Sequence, residues 1–332
     1  MYFCSNMQVT KQNTEQIIPV GRFAPSPTGR MHLGNVLTAL LSYLSVKSKG
    51  GKWILRIEDL DPARCRSEYA KILQDDLHWL GLEWDEGGVE KEEYCQSCRS
   101  DIYKLYFNKL KDTGLVYPCW CSRADINAAG APHQSDGRVI YPGTCRPMHL
   151  GGKMISEKES GLLPMPGKTR TPSWRICVPD ETICVEDGHF GHIENNLARD
   201  CGDFIILRSD AVAAYQLAVV VDDALMGVTE VVRGRDLLLS AVQQQWLYGL
   251  LGLKAPSFTH IPLLCARDGR RLCKRDMDMD MGHLRENYSA EQVVGMLAAI
   301  SGLQKENAPA RIEDLAGAFD WDKVPVRDIR LG

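Results

Sequence analysis

Two stretches of this chain carry residue types suited to phosphate, and a third carries residue types suited to a metal. The first is Gly21-Arg22-Phe23-Ala24-Pro25-Ser26-Pro27-Thr28-Gly29-Arg30-Met31-His32-Leu33-Gly34-Asn35. It reads as a short buried strand, a turn stiffened by prolines, and a helix starting near His32. Open backbone N–H groups and the positive dipole end at such a terminus attract an anion. Gly34 has no Cβ to block the approach, and His32 adds a side-chain donor. A glycine-bearing turn alone does not specify a ligand, because most such turns merely connect two elements.

The second stretch, Gly269-Arg270-Arg271-Leu272-Cys273-Lys274-Arg275, concentrates cations beside a glycine. That composition makes a poor core and a good phosphate clamp. The third is Cys119, Cys121 and Cys145. Three thiolates converging on a loop suit a zinc ion, which takes four ligands in a tetrahedron. His133, on the intervening loop, is one candidate for the fourth. Cys95 and Cys98 have metal-like spacing without a second pair nearby, so a surface or capping role is expected for them.

Composition narrows the class of molecule. The chain has 332 residues, 44% of them hydrophobic and 25% charged, within the range of ordinary globular proteins. No stretch approaches the roughly 18 apolar residues that a membrane span needs, so no membrane association is expected. Residues 1–17 form an N-terminal extension without a signal-type apolar run, and the cytoplasm is the expected compartment. Twelve cysteines spread over this length are expected to be mostly reduced. A net charge of −4 excludes bulk capture of nucleic acid, so any RNA contact needs a local basic face. Lys47, Lys49 and Lys52 form one candidate face, and the late basic loop forms another.

The elements that must position these residues follow from periodicity. Leu33, Val36, Leu37, Leu40, Leu41 and Leu44 recur at helical spacing after the first strand. Trp53 to Ile57 reads as a second strand, with helices near Ser67 to Leu80 and Ser100 to Thr113. Such alternation predicts an α/β, Rossmann-type parallel sheet covered on both faces. Helical periodicity fades near Tyr117, where Pro, Gly, Cys and His become frequent, so an insertion is expected over 117–200, with short antiparallel strands at Ser173 to Val178 and Thr182 to Val185. The α/β pattern resumes over 201–256. A charged loop and a short helical region fill 257–332, so the nucleotide-binding fold has a first half at 18–116 and is split by the insertion.

The whole constellation resembles the glutamyl branch of class I aminoacyl-tRNA synthetases. His32-Leu33-Gly34-Asn35 stands where that family has its HIGH motif, and Arg271-Leu272-Cys273-Lys274-Arg275 resembles its KMSKS loop, with Arg271 and Cys273 as departures. The resemblance implies adenylation of an amino acid by ATP with Mg²⁺. His32 and Lys274 would be the catalytic residues, and His32, Gly34, Asn35, Arg271 and Lys274 would hold ATP. For a glutamate substrate, Arg22 would take the side-chain carboxylate and Glu58 the ammonium, with Phe23, Ala24, Pro25 and Ser26 as the wall. Tyr215, in Tyr215-Gln216-Leu217-Ala218-Val219-Val220-Val221-Asp222-Asp223, and Arg233 match the family's amino-acid contacts. Val219 replaces an Asn of ordinary glutamyl-tRNA synthetases, and the wording instead resembles the truncated glutamyl-Q tRNA(Asp) synthetases. Their pattern of Cys-x-Cys followed by Tyr-x3-Cys implies Tyr141 as the fourth ligand of a structural zinc, against His133 from the residue reading.

Only a short stretch follows the basic loop, so no anticodon-binding domain is expected. Implied partners are ATP, L-glutamate and tRNA(Asp) carrying queuosine, acted on by a monomer that activates glutamate without tRNA and transfers it to the modified base at the wobble position. The alternatives are a minimal glutamyl-tRNA synthetase charging the 3′ end of tRNA(Glu), and a non-catalytic, zinc-stabilised RNA-binding module.

Overall fold

Strand β1 (Val20–Phe23) runs through the proline turn into helix α1 (Leu33–Lys47), and all six predicted apolar positions of that helix are buried. The computed structural model describes residues 18–128, 139–147, 171–266, 268–269 and 279–331. After α1 come β2 (Lys52–Leu55), α2 (Ser67–Trp79), β3 (Glu86–Gly87), α3 (Ser100–Asp112), β4 (Val116–Cys119) and α4 (Arg123–Ala128). Then follow β5 (Ser173–Ile176), β6 (Thr182–Asp187), β7 (Gly191–Asn196), β8 (Phe204–Leu207), α5 (Tyr215–Leu225), β9 (Glu230–Gly234) and α6 (Leu238–Leu251). The last elements are β10 (Ser257–Ile261), β11 (Leu264–Cys265), α7 (Met281–Asn287), α8 (Ala290–Ile300), α9 (Ile312–Gly317) and β12 (Ile329–Arg330).

A seven-stranded sheet in the order β3-β2-β1-β9-β10-β6-β7 forms the body. It is parallel apart from the β6–β7 hairpin at its edge. One face is covered by α1, α2, α8 and α9 and the other by α3, α5 and α6, as a sheet with two apolar faces requires. The chain leaves β1 for β2 on one side and reaches β9 on the other. Ligands of such sheets lie where the strand order reverses, beyond the carboxyl ends of the strands. Arg22 and Arg233 stand at that place.

Three features depart from the sequence expectation. The strands around Ser173 and Thr182 do not pair with each other: β5 joins β4 and β8 in a separate three-stranded antiparallel sheet, while β6 and β7 extend the main sheet. Where a charged loop was expected from Ser257, β10 forms an interior strand between β9 and β6. Its Phe258, Thr259, His260 and Ile261 are all buried, and two polar residues in that run disguise it as surface. Finally, Lys47, Lys49 and Lys52 do not make a basic face. They pair with Asp85 at 2.7 Å, Glu230 at 2.5 Å and Glu86 at 2.9 Å. Among the described residues no helix is long and apolar enough to cross a membrane.

Candidate active site

The turn after β1 is fixed by its own side chains. His32 caps α1, its Nδ1 accepting from the Gly34 N–H at 3.1 Å, while Asn35 Oδ1 accepts from the His32 N–H at 3.2 Å. This capping box satisfies donors that the sequence reading offered to phosphate. The amides of Asn35 and Val36 likewise turn back to the His32 carbonyl, at 2.8 and 3.2 Å. The glycine also makes room for the cap: a Cβ at position 34 would lie 3.0 Å from His32 Cε1 and 3.1 Å from Nδ1. An imidazole accepting at Nδ1 carries its proton on Nε2, so the ring is prepared to donate from its far side. On the same turn Asp280 pairs with His32 as an isolated antiparallel bridge, and the Met281 N–H donates to the Met31 carbonyl at 2.9 Å.

Beyond the strand ends opens a cavity of about 470 Å³. Arg22, Phe23, Ala24, Pro25, Ser26, His32, Gly34, Asn35, Glu58, Tyr215 and Arg233 all line it. Residues scattered from the first strand to the ninth are thus brought to one place. Arg271 and Lys274 lie outside the described residues. Val219 is fully buried in α5 and does not line the cavity.

Beneath the cavity floor lies a buried charge network that the sequence reading passed over. Arg56 is fully buried and donates to Asp223 Oδ1 at 2.6 Å and to Glu58 Oε1 at 3.2 Å. Arg22 shares the same Asp223 oxygen at 3.5 Å and donates to the Val232 carbonyl at 3.2 Å. Burial opposes the charge of Arg56, yet Asp223, Glu58 and Asp222 together hold it well above its ordinary value. Burial lifts Glu58 above the usual carboxylate range against the pull of Arg56 and Arg22. For Asp223 the two arginines win over burial and hold it below that range. Asp222 is spoken for by Arg99 at 2.7 Å, Gln96 at 2.8 Å and Tyr103 at 2.7 Å. Arg22, Arg233 and Glu58 line the cavity directly, above the buried pair of Arg56 and Asp223. Arg22 Nε, Arg56 Nε and Asp223 Oδ2 have no hydrogen-bond partner among the described residues, a deficit that native interiors seldom tolerate away from functional sites. The signal was present in Asp222-Asp223, an acidic pair inside an otherwise apolar helix, which burial permits only with cationic partners.

From the end of β4 onward, Cys119, Cys121 and Cys145 place their sulfur atoms within 4.8 Å of one another, and none of the described cysteines is in a disulfide. Cys121 and Cys145 are 3.5 Å apart; the Tyr141 hydroxyl lies 3.4 Å from Cys119 and 3.7 Å from Cys121 and accepts from the Cys145 N–H at 2.7 Å. Tetrahedral zinc with Zn–S of about 2.3 Å sets its sulfurs about 3.8 Å apart, so the donor set fits that ion. Burial opposes the Cys119 thiolate, but hydrogen bonds from Tyr141 and Arg175 bring its ionisation below the ordinary value. Burial pushes Cys121 up to about 11. His133 lies outside the described residues.

Comparison with known proteins extends this geometry. The family model "tRNA synthetases class I (E and Q), catalytic domain" matches residues 20–308. A glutamyl-Q tRNA(Asp) synthetase of Symbiobacterium thermophilum is 46% identical over 318 residues, spanning 94% of this chain and 95% of its own. A protein of the same name from Nitratidesulfovibrio vulgaris is 42% identical over 314 residues, spanning 93% and 94%. Among solved structures, a glutamate tRNA ligase from Elizabethkingia meningosepticum in complex with its amino acid superposes with a TM-score of 0.77 at 28% identity. That match covers 95% of this chain and 67% of the ligase.

Proposed function

The chain belongs to the class I tRNA synthetases of the glutamate and glutamine branch, and on that footing we propose that it is a ligase that joins glutamate to queuosine in tRNA(Asp). L-Glutamate is activated with ATP in the absence of tRNA, and the glutamyl group then passes to the modified base at the wobble position. The observation that carries this reading is the near end-to-end correspondence with glutamyl-Q tRNA(Asp) synthetases from different bacteria.

Activation needs no general base, because the attacking α-carboxylate is already ionised. Its oxygen forms a bond to the α-phosphorus of ATP, the bond to the bridging oxygen breaks in line, and pyrophosphate leaves. ATP enters as its Mg²⁺ complex, which screens the phosphate charge. The protein must align two anions and stabilise charge spreading over phosphate oxygens. His32, held with its proton on Nε2, donates to that charge. Lys274 and Arg271 supply the cations of the basic loop, and the pairing of Asp280 with His32 supports this role by tethering the following segment beside the turn.

Glutamate sits over the strand ends. Arg22 and Arg233 take its side-chain carboxylate through charge-assisted hydrogen bonds, each worth about 1.5–3 kcal/mol. Glu58 accepts from the ammonium, the Tyr215 hydroxyl completes the polar shell, and the Phe23 to Ser26 turn forms the wall. Cys119, Cys121, Cys145 and Tyr141 would hold a structural zinc ion, which would tie together a segment with little core of its own.

The test is ATP-dependent transfer of labelled glutamate to matched tRNA pools from queuosine-replete and queuosine-deficient cells. Label confined to the replete pool is the expected result. Equal label on both pools would transfer the activity to an ordinary 3′ end and overturn the reading.

A further inference from the structure

We infer that His260, held by Asp187 in the turn of the β6–β7 hairpin, is a positioning residue that aims Arg233 at the amino acid. The inference rests on the glutamate-binding role proposed for Arg233 and adds residues to which no role has been given. A guanidinium has five N–H donors in a fixed plane. Arg233 donates from Nε to His260 Nε2 at 3.0 Å, from Nη1 to Gln244 Oε1 at 2.8 Å and from Nη2 to the Leu237 carbonyl at 3.4 Å. One N–H on each terminal nitrogen is left over, and the group lines the cavity. Two such donors on one guanidinium are what a carboxylate can accept side by side.

The bond to His260 requires a particular state of the imidazole. Nε2 must present a lone pair, so the proton must sit on Nδ1. Asp187 enforces this by accepting from Nδ1 at 2.5 Å. The carboxylate is itself held by three backbone donors, His189 N–H at 3.0 Å, Phe190 N–H at 2.9 Å and His260 N–H at 3.1 Å. His260 is fully buried and Asp187 nearly so, which removes water as an alternative partner for the ring. A protonated ring would set an N–H against the guanidinium N–H and place two cations in contact. Burial and the neighbouring Arg233 both hold His260 below its ordinary value, so the ring is neutral at physiological pH.

The geometry links an edge hairpin to the cavity. Asp187 ends β6, His260 lies on β10 and Arg233 on β9, three adjacent strands of the main sheet. On the other side, Gln244 is fixed by donating to Gln216 Oε1 at 2.8 Å, next to Tyr215 on α5. The plane of Arg233 is therefore set from both sides by groups that touch no substrate.

His260→Leu keeps the bulk of the ring and removes the acceptor, whereas His260→Gln can return an oxygen to the Nε2 position. Glutamate-dependent ATP–pyrophosphate exchange is measured on the full-length wild type, both variants, Arg233→Ala and the double variant Arg233→Ala/His260→Leu. The expected result is a KM for glutamate raised at least tenfold in His260→Leu with the KM for ATP within twofold of wild type. His260→Gln should recover most of that loss, and His260→Leu should add nothing once Arg233 is alanine. If His260→Leu lowers only the active fraction or the melting temperature and leaves the glutamate KM unchanged, the residue is merely structural and the inference falls. An additive effect in the double variant would overturn it as well. If Arg233→Ala itself leaves the glutamate KM unchanged, the underlying assignment of Arg233 fails first.

Discussion

Replacing Gly34 with alanine tests whether this glycine serves His32 rather than the helix. The new Cβ would meet the His32 ring at 3.0–3.1 Å, tighter than most real Cβ contacts, so the ring must shift by a few tenths of an ångström. Two opposing effects act on stability. Alanine is preferred to glycine inside a helix by about 0.5–1 kcal/mol. Displacing the ring loses the cap from Nδ1 to the residue-34 amide, which costs about 0.5–2 kcal/mol. The balance lies within about 1.5 kcal/mol of zero. At about 2–4 °C per kcal/mol for a large domain, the melting temperature should move by less than about 6 °C. Activity has no such compensation, because Nε2 swings with the ring. Losing one donor preorganised for transition-state charge costs about 10²–10³ in kcat, and a displaced donor should lose at least about tenfold. Glutamate-dependent pyrophosphate exchange and a thermal melt on the same preparation give both numbers. Wild-type exchange would show that His32 tolerates the displacement or plays no part, and the account of the turn would have to be abandoned. A collapse in melting temperature matching the loss of activity would point to general damage instead.

Two further outcomes follow from the charges and the thiols. Glu58 must be ionised to accept an ammonium, and burial raises it above the usual carboxylate range. The KM for glutamate should therefore rise as pH falls through the mildly acidic region, at a higher pH than an ordinary carboxylate gives, and Glu58→Gln should abolish that dependence while raising KM throughout. The same shift acts on stability with the opposite sign: the folded state binds the proton more tightly, so the stabilisation from this group is complete below the unfolded value and is lost as pH rises through the folded one. Cys145→Ser should reduce bound zinc from about one equivalent to near none and lower the melting temperature, while Cys98→Ser, at an exposed site outside the cluster, should change neither. Full zinc content in Cys145→Ser would remove that residue from the ligand set.

Much of the frame was legible because it depends on local periodicity. The leucines of α1 and the apolar runs of β2, β9 and α6 declare their elements without tertiary information. The β10 strand was not legible, since its Thr259 and His260 are buried by partners distant in sequence. His260 satisfies its ring through Asp187 and Arg233, residues no local window contains. Strands β5 and β6 were legible but not in their allegiance, because which sheet a strand joins is decided by long-range pairing, and β7, with its polar Gly191–Asn196 run, was not read as a strand at all. The site residues on the turn and at strand ends were readable from chemistry and resemblance. Arg56 was not, because a single charge after an apolar run looks like a surface position until its partner is known, and the pair Asp222-Asp223 that could have signalled it was passed over.

The buried pair of Arg56 and Asp223 bears on how the cavity would select an acidic ligand if Arg22 and Arg233 hold its side chain as proposed. Taking a guanidinium out of water is costly, and Arg22 and Arg56 meet that cost by sharing one oxygen of Asp223. Arg56 is also paired with Glu58 and lies 3.9 Å from Asp222, whereas Arg22 has only the shared Asp223 oxygen as an anionic partner at 3.5 Å. In the proposed placement a glutamate side chain would bring a negative charge next to Arg22 and Arg233. Glutamine fills the same volume but brings no charge, so it leaves a buried cation partly unpaired, a state that costs about 3–5 kcal/mol when one partner of a buried pair is removed. At about 1.4 kcal/mol per factor of ten, that imbalance alone amounts to discrimination of more than two orders of magnitude. On the proposed placement, selectivity for the acid over the amide would then depend on the buried carboxylates beneath Arg22 and Arg233 as well as on the two arginines themselves, and Asp223→Asn should change the ratio of glutamate to glutamine activation.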